Sequence, residues 1–232
     1  MGNTFRVLLF AHIICGGVAL FVAPLAMVTH KGGLWHRRWG KVYFWSMAAV
    51  AASALVLSVV RPGLFLFLVA IFSFYLALTG YRVLYRKTPK DRANFTDWGA
   101  AVLMLLGGAA LIVYGVSLFL SGSGFGVVAV VFGGIGLFLS ILDGRAFLHP
   151  PTDKRAWWFT HMGRMMGAYI ATVSAFSAVN FYFLPAVVRW LWPTVVGLTG
   201  SYLWARHYRR KFYGAASARG RAAVRERQAG HA

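Results

Sequence analysis

Residues 63–82 read GLFLFLVAIFSFYLALTGYR, and residues 82–97 then read RVLYRKTPKDRANFTD. The first stretch is an apolar run of about 20 residues, the length that crosses a bilayer as a helix. The second is charged and ends that run. Applied outward, the same rule predicts six more spans, at roughly 5–29, 40–60, 97–120, 124–143, 159–183 and 186–205. The breaks between them are a basic, Gly-rich stretch at 30–38, the Arg61-Pro62-Gly63 turn, the Ser-Gly turn at 121–124, the Pro150-Pro151 loop and Pro185.

Composition agrees with that reading. Of 232 residues, 59% are hydrophobic, 16% aromatic and only 12% charged, about half the charged fraction of soluble chains. Mean hydropathy is +0.64. The expected fold is all-α, a polytopic bundle of about seven transmembrane helices. Residues 1–205 form the membrane domain and 206–232 a basic tail, with no room for a soluble domain between spans. The single cysteine, Cys15, excludes a disulfide scaffold and any Cys-based zinc or iron–sulfur site.

Twenty-four Lys and Arg against five Asp and Glu give a net charge of +19. Twenty-one of those 24 fall in the loops near 31–41, 82–92 and 145–164 and in the tail; only Arg6, Arg61 and Arg189 lie at the other ends of the spans. The positive-inside rule then puts the N-terminus outside and the C-terminus in the cytoplasm. It accounts for the charge without nucleic acid, and implies contact with anionic lipid at the cytoplasmic face. The tail is expected either as a basic amphipathic helix or as a solvated end. Trp157 and Trp158 at the inner edge, with Trp190 and Trp192 at the outer edge, fit interfacial belts.

The first span is too long for a signal-peptide core, and positive charge follows it, so it is read as a retained helix. Mid-span glycines (Gly16, Gly17, Gly107, Gly108, Gly133, Gly134, Gly136) are expected to let helices approach closely. All five acids (Asp91, Asp97, Asp143, Asp153, Glu226) are placed in inner loops or at inner helix ends. With no carboxylate at mid-membrane, a carboxylate-driven secondary transporter is disfavoured. With no mid-span lysine, a retinal Schiff base is excluded. No GxSxG, HExxH or paired membrane-facing acids point to a hydrolase.

Seven histidines remain for chemistry. His231 lies in the tail, His30 and His207 at helix ends beside basic residues, and His149 in the Pro150-Pro151 loop. His12 sits inside the first span, about 10 Å below its outer end. It needs a partner there, and Gly16 one turn on leaves a notch beside it. His36, in GLWHRRWGKVY (33–43), and His161, in WWFTHMGRMMG (157–167), sit at similar depth at the inner mouths of the second and sixth spans. Met165 is one turn from His161, and Arg37, Arg38 and Arg164 are adjacent. Paired imidazoles with arginines for propionates suit haem b, held by His36, His161, Met165, Arg37 and Arg164. They equally suit a divalent metal, for which His12, His36 and His161 are the candidate ligands and Asp143, Asp153 or His149 possible additions. A His–Arg–Trp belt gripping lipid headgroups is the third alternative. His12 is roughly 27 Å of helix from His30, so it cannot share a site with the inner pair.

The pattern His12-x-x-x-Gly16-x-x-Ala19-Leu20, then His36-Arg37-x-x-Gly40-Lys41-x-Tyr43, then His161-x-x-x-Met165-x-Gly167-Ala168-Tyr169-Ile170-Ala171 with Ala175-Phe176 resembles an uncharacterised bacterial membrane family, domain of unknown function 2306. The resemblance covers the first two spans and the sixth. It implies a multi-helix bacterial inner-membrane protein with no established activity, whose motif histidines map onto His12, His36 and His161. A fainter similarity runs to cytochrome b561-like proteins, which place helix histidines near both membrane faces; this chain lacks their paired outer-side ligands.

Three functions are therefore expected in competition. The first is a non-catalytic bundle, binding a lipid or small molecule, permease-like, or serving a membrane-protein partner. The second is a redox protein with one cytoplasmic-side haem on His36 and His161. The third is a metal-dependent membrane enzyme, which requires Asp143, Asp153 or His149 beside that pair.

Overall fold

The computed structural model describes residues 2–229, with side chains described to residue 214. Among these the protein is helical, without strands. The elements are α1 (Asn3–Val28), α2 (Leu34–Val60), α3 (Leu64–Arg82), a 3₁₀ turn (Val83–Tyr85), α4 (Phe95–Leu120), α5 (Gly126–Leu148), α6 (Ala156–Asn180) and α7 (Ala186–Ala229). All seven expected helices are present. Five of them, α1, α2, α3 with its 3₁₀ turn, α4 and α5, are long and apolar enough to cross a membrane. The remaining two are more polar. α6 carries His161 and Arg164 in its first three turns, and α7 continues into the basic segment.

α3 is the hub. It packs against α2, α4, α5 and α6 and buries Phe65, Leu68, Phe72, Tyr75, Leu76 and Ala77 in the main core. α6 lies between α3, α1 and α7, so its polar residues face protein instead of hydrocarbon, as polar groups in a membrane require. The rim helices show the converse. Phe10, Ile14 and Phe21 of α1 are more than half exposed, an apolar surface suited to lipid.

α4 and α5 make the closest pair. Gly108 and Gly115 lie two turns apart on one face of α4, and Gly126 and Gly133 do the same on α5. A Cβ on Gly115 would stand 2.6 Å from the Gly126 carbonyl, and one on Gly133 2.7 Å from the Gly108 carbonyl. The backbones touch, as small residues at one helix face permit. Gly136 similarly receives the Met104 side chain, whereas Gly17 and Gly134 face open space and Gly16 only grazes Val50.

Helix ends differ from the sequence expectation in both directions: α5 starts two residues later and α6 ends three residues earlier than expected, whereas the larger differences are extensions. α2 begins at Leu34, α5 runs to Leu148, and α7 continues unbroken past residue 205 to Ala229. Hydropathy marks where a helix is in hydrocarbon, not where its hydrogen bonding stops, and basic side chains extend a helix past the membrane by reaching to water. Residues 230–232 of the expected tail, with His231, lie outside the described residues. The belt tryptophans also differ. Trp190 packs edge-on against Phe65, Phe125 and Phe132, and Trp192 donates to Ser177 Oγ at 2.8 Å. Trp158 packs on Tyr208 and Phe212. These rings join helices as well as facing a boundary.

Candidate functional site

The end of the bundle that carries the basic loops gathers the polar side chains. His36 and His161 come together there, ring centroids 6.3 Å apart and nearly perpendicular at 78°. His36 Nδ1 bonds to the Ala26 carbonyl at 2.8 Å and His161 Nδ1 to the Gly80 carbonyl at 2.7 Å. A carbonyl can only accept, so each ring carries a proton on Nδ1 and turns Nε2 away from that bond. Gly80 matters for this arrangement. A Cβ there would fall 2.9 Å from Arg164 Cβ and 3.3 Å from Met165, so only glycine lets α6 close on α3 and bring His161 to that carbonyl.

His12 does not join them. Its Nδ1 is 3.0 Å from Ser53 Oγ on α2. Ser53 Oγ donates to Ala49 O at 2.7 Å, leaving the hydroxyl oxygen to accept from the imidazole. The partner expected for a histidine in hydrocarbon is thus a serine one helix away.

Arg164 departs from the role expected of it. Instead of standing beside the histidines as an arm for a propionate, it crosses to α5, where its Nη2 donates to Asp143 Oδ1 at 2.7 Å and to Leu139 O at 3.0 Å. Tyr75 OH on α3 donates to the other carboxylate oxygen at 2.5 Å. Arg164 and Asp143 are only 5% and 6% exposed, and Arg164 Nη1 is buried with no hydrogen-bond partner. Asp143 is not at an inner helix end as its sequence position suggests; α5 continues five residues beyond it, so it lies about 7 Å inside the helix end. Arg37 and Arg38 remain exposed.

The acids that a metal enzyme needs are engaged elsewhere. Asp143 is held by Arg164 and Tyr75, and Asp153 accepts from Tyr213 OH at 2.5 Å and from Arg155 N. Among the described residues no three His, Cys, Asp or Glu come together. Two of the three residues expected to join the histidine pair at a metal, Asp143 and Asp153, are thus committed to other partners.

A second ion-pair cluster lies nearby. Asp97, in the first turn of α4, forms a capping box with Asn94 and takes a two-point bond from Arg82, at 2.9 and 3.2 Å. Arg86 approaches the same carboxylate at 3.5 Å. Burial depresses the affinity of Arg86 for its proton, Asp97 and Asp143 oppose this, and Arg82 and Arg164 reinforce it. On the loops, Thr88 and the Lys87 amide hold the Asp91 carboxyl below the usual carboxylate range, and the Tyr213 hydroxyl with the Arg155 amide does so for Asp153.

Between α3, α5, α6 and α7 lies a cavity of about 600 Å³. The α5 and α6 backbones stay apart and are bridged by Arg164; α7 lines the space between them, with Trp190 packed on Phe132 of α5. Phe72, Leu76, Phe132 and Leu139 line the deep part. Arg86, Lys87, Arg164 and Arg209 line the basic end. Neither the cavity nor the Tyr75–Asp143–Arg164 group was visible in sequence, because its members are separated by 68 and 21 positions and meet only after α3, α5 and α6 assemble.

No curated protein and no solved structure matches the chain, so the similarity to cytochrome b561-like proteins gains no support. Residues 9–105 do match one family model. That segment contains His12, His36, Gly80 and Asp97, and leaves out Asp143, His161 and Arg164. The matched family is DUF2306, described as a predicted membrane protein, in agreement with the helices long and apolar enough to span a bilayer.

Proposed function

We propose that the chain is a non-catalytic binding bundle of a bacterial inner membrane, crossing seven times with its basic end and C-terminus in the cytoplasm. Residues 1–205 make the membrane domain and the basic tail 206–232 rests against anionic lipid. Its ligand occupies the cavity between α3, α5, α6 and α7. The observation that carries this is the pairing of an apolar chamber of about 600 Å³ with buried, incompletely bonded Arg164 on its wall. Single-ligand pockets run from about 300 to 1,000 Å³ and combine apolar walls with a few placed polar groups. A permease-like or partner-subunit role would build on the same chamber.

A second reading is favoured by the histidine pair. Metal–nitrogen bonds of about 2.0–2.1 Å put two imidazole centroids roughly 5–6.5 Å apart, and the pair stands at 6.3 Å. Both Nδ1 atoms are fixed by carbonyls, the usual support of a ligating imidazole. This would place one haem b, or a bare divalent cation, on His36 and His161, with Met165 alongside and Arg37 as the arginine left for a propionate.

One preparation separates the two. Protein purified in a mild non-ionic detergent from haem-replete cells should be colourless, free of stoichiometric iron or zinc, and should carry an extractable small molecule or lipid. Ala146→Trp, which fills the chamber wall, should lower that molecule's yield at least several-fold. A Soret band that vanishes in His36→Ala and His161→Ala would replace the first reading with the second.

A further inference from the structure

We propose that the cavity takes an anionic membrane amphiphile with one hydrocarbon chain, its head against Arg164, Arg86, Lys87 and Arg209 and its tail along α3 and α5. The inference rests on the binding role given above and names the ligand class for that chamber.

Charge decides the head. Three carboxylates also line the cavity, and each is already engaged: Asp143 by Arg164 and Tyr75, Asp91 by Thr88 and the Lys87 amide, Asp153 by Tyr213 and the Arg155 amide. The cations are not similarly matched. Lys87 stacks over Trp157 at 4.9 Å and Arg209 over Phe159 at 5.0 Å. Neither side chain bonds to a carboxylate among the described residues, and their side-chain N–H groups stay available. Arg86 shares Asp97 with the better-placed Arg82. Arg164 is nine-tenths buried, lines the chamber, and leaves Nη1 with no acceptor. That atom is shielded from the chamber as well as from solvent, so Arg164 acts on the head as a buried charge, while the accessible donors are those of Lys87 and Arg209. Guanidinium prefers phosphate or carboxylate oxygens.

Shape decides the tail. From Phe72 to Val83 the lining follows roughly 16 Å of helix axis and becomes apolar with depth. Its volume of about 600 Å³ fits one chain and its head, not a two-chain lipid. The chamber lies where the α5 and α6 backbones stay apart, joined by Arg164 to Asp143 and the Leu139 carbonyl.

Native mass spectrometry of the purified protein tests this with three probes: palmitoyl lysophosphatidylglycerol, monopalmitoylglycerol and inorganic phosphate. The expected result is one lysolipid per chain, held at least tenfold more tightly than the uncharged monopalmitoylglycerol and not displaced by inorganic phosphate. Lys87→Gln with Arg209→Gln should shrink that preference several-fold. Ala146→Trp should abolish retention, with Leu142→Trp as a second plug should the first fail to fold. Equal retention of charged and uncharged chains, both lost in the plugged variants, would overturn the anionic head while leaving a binding chamber. Displacement by equimolar inorganic phosphate would overturn the amphiphile in favour of a free anion. Retention unchanged by either plug would overturn the chamber itself.

Discussion

Asp143→Ala should destabilise the protein by about 3–5 kcal/mol, the cost of removing one partner from a buried ion pair. It strips Arg164 of the carboxylate at 2.7 Å while Nη1 is already unpartnered, and takes from Tyr75 its acceptor. Arginine cannot shed its proton to escape, so the charge stays buried between α5 and α6. Arg164→Met should cost less, because the orphaned Asp143 can accept a proton and keep its bond to Tyr75. The double change Asp143→Leu with Arg164→Met should recover much of the loss, since replacing both ions by apolar groups is often near neutral. Thermal unfolding of the three variants in one detergent measures the order. Equal losses in both single variants and simple addition in the double would show that the pair is not coupled as the geometry requires.

Gly115→Leu should separate α4 from α5. Its Cβ alone would lie 2.6 Å from the Gly126 carbonyl and 2.8 Å from the Val130 amide. Both are backbone atoms, which cannot move aside like the end of a side chain. Overpacking a core costs about 1–3 kcal/mol, sometimes more, and here the strain falls on the closest helix pair in the bundle. Gly134→Ala on α5, which meets nothing within 4 Å, is the matched control and should be tolerated. Detergent stability and monodispersity of the two variants give the comparison. A stable Gly115→Leu protein would mean that the Gly108–Gly133 and Gly115–Gly126 contacts do not set the α4–α5 distance.

These two sites also mark how far the sequence could be read. Seven apolar runs located seven helices, because burying a helix in hydrocarbon needs a contiguous apolar stretch that composition displays directly. The meeting of His36 and His161 was legible too, since both stand at the start of helices on the basic side. The glycines were legible only as a class. Gly107 and Gly108 are adjacent in sequence, yet Gly108 meets α5 while Gly107 turns toward Ile71 and Leu68 of α3, and only packing decides which face is which. Asp143 was misplaced because hydropathy ended its helix at the charge, whereas Arg164 neutralises that charge from α6 and lets α5 continue to Leu148. Arg164 itself looked like a ligand for a bound anion beside the histidines, because its true partner lies 21 residues away on a helix whose position no local pattern reveals. Gly80 and Tyr75 passed unnoticed for the same reason. Each matters through a contact with α5 or α6, and not through its neighbours in the chain.

The arrangement depends on which side of the membrane the basic end faces, and cysteine labelling tests that most directly. In a Cys15→Ser background, Lys90→Cys sits in the loop between α3 and α4, and Ser121→Cys in the turn between α4 and α5. A membrane-impermeant maleimide applied to intact spheroplasts should label position 121 and spare position 90, and inverted vesicles should give the opposite pattern. Labelling of position 90 from outside, or of both positions from one side, would contradict the account.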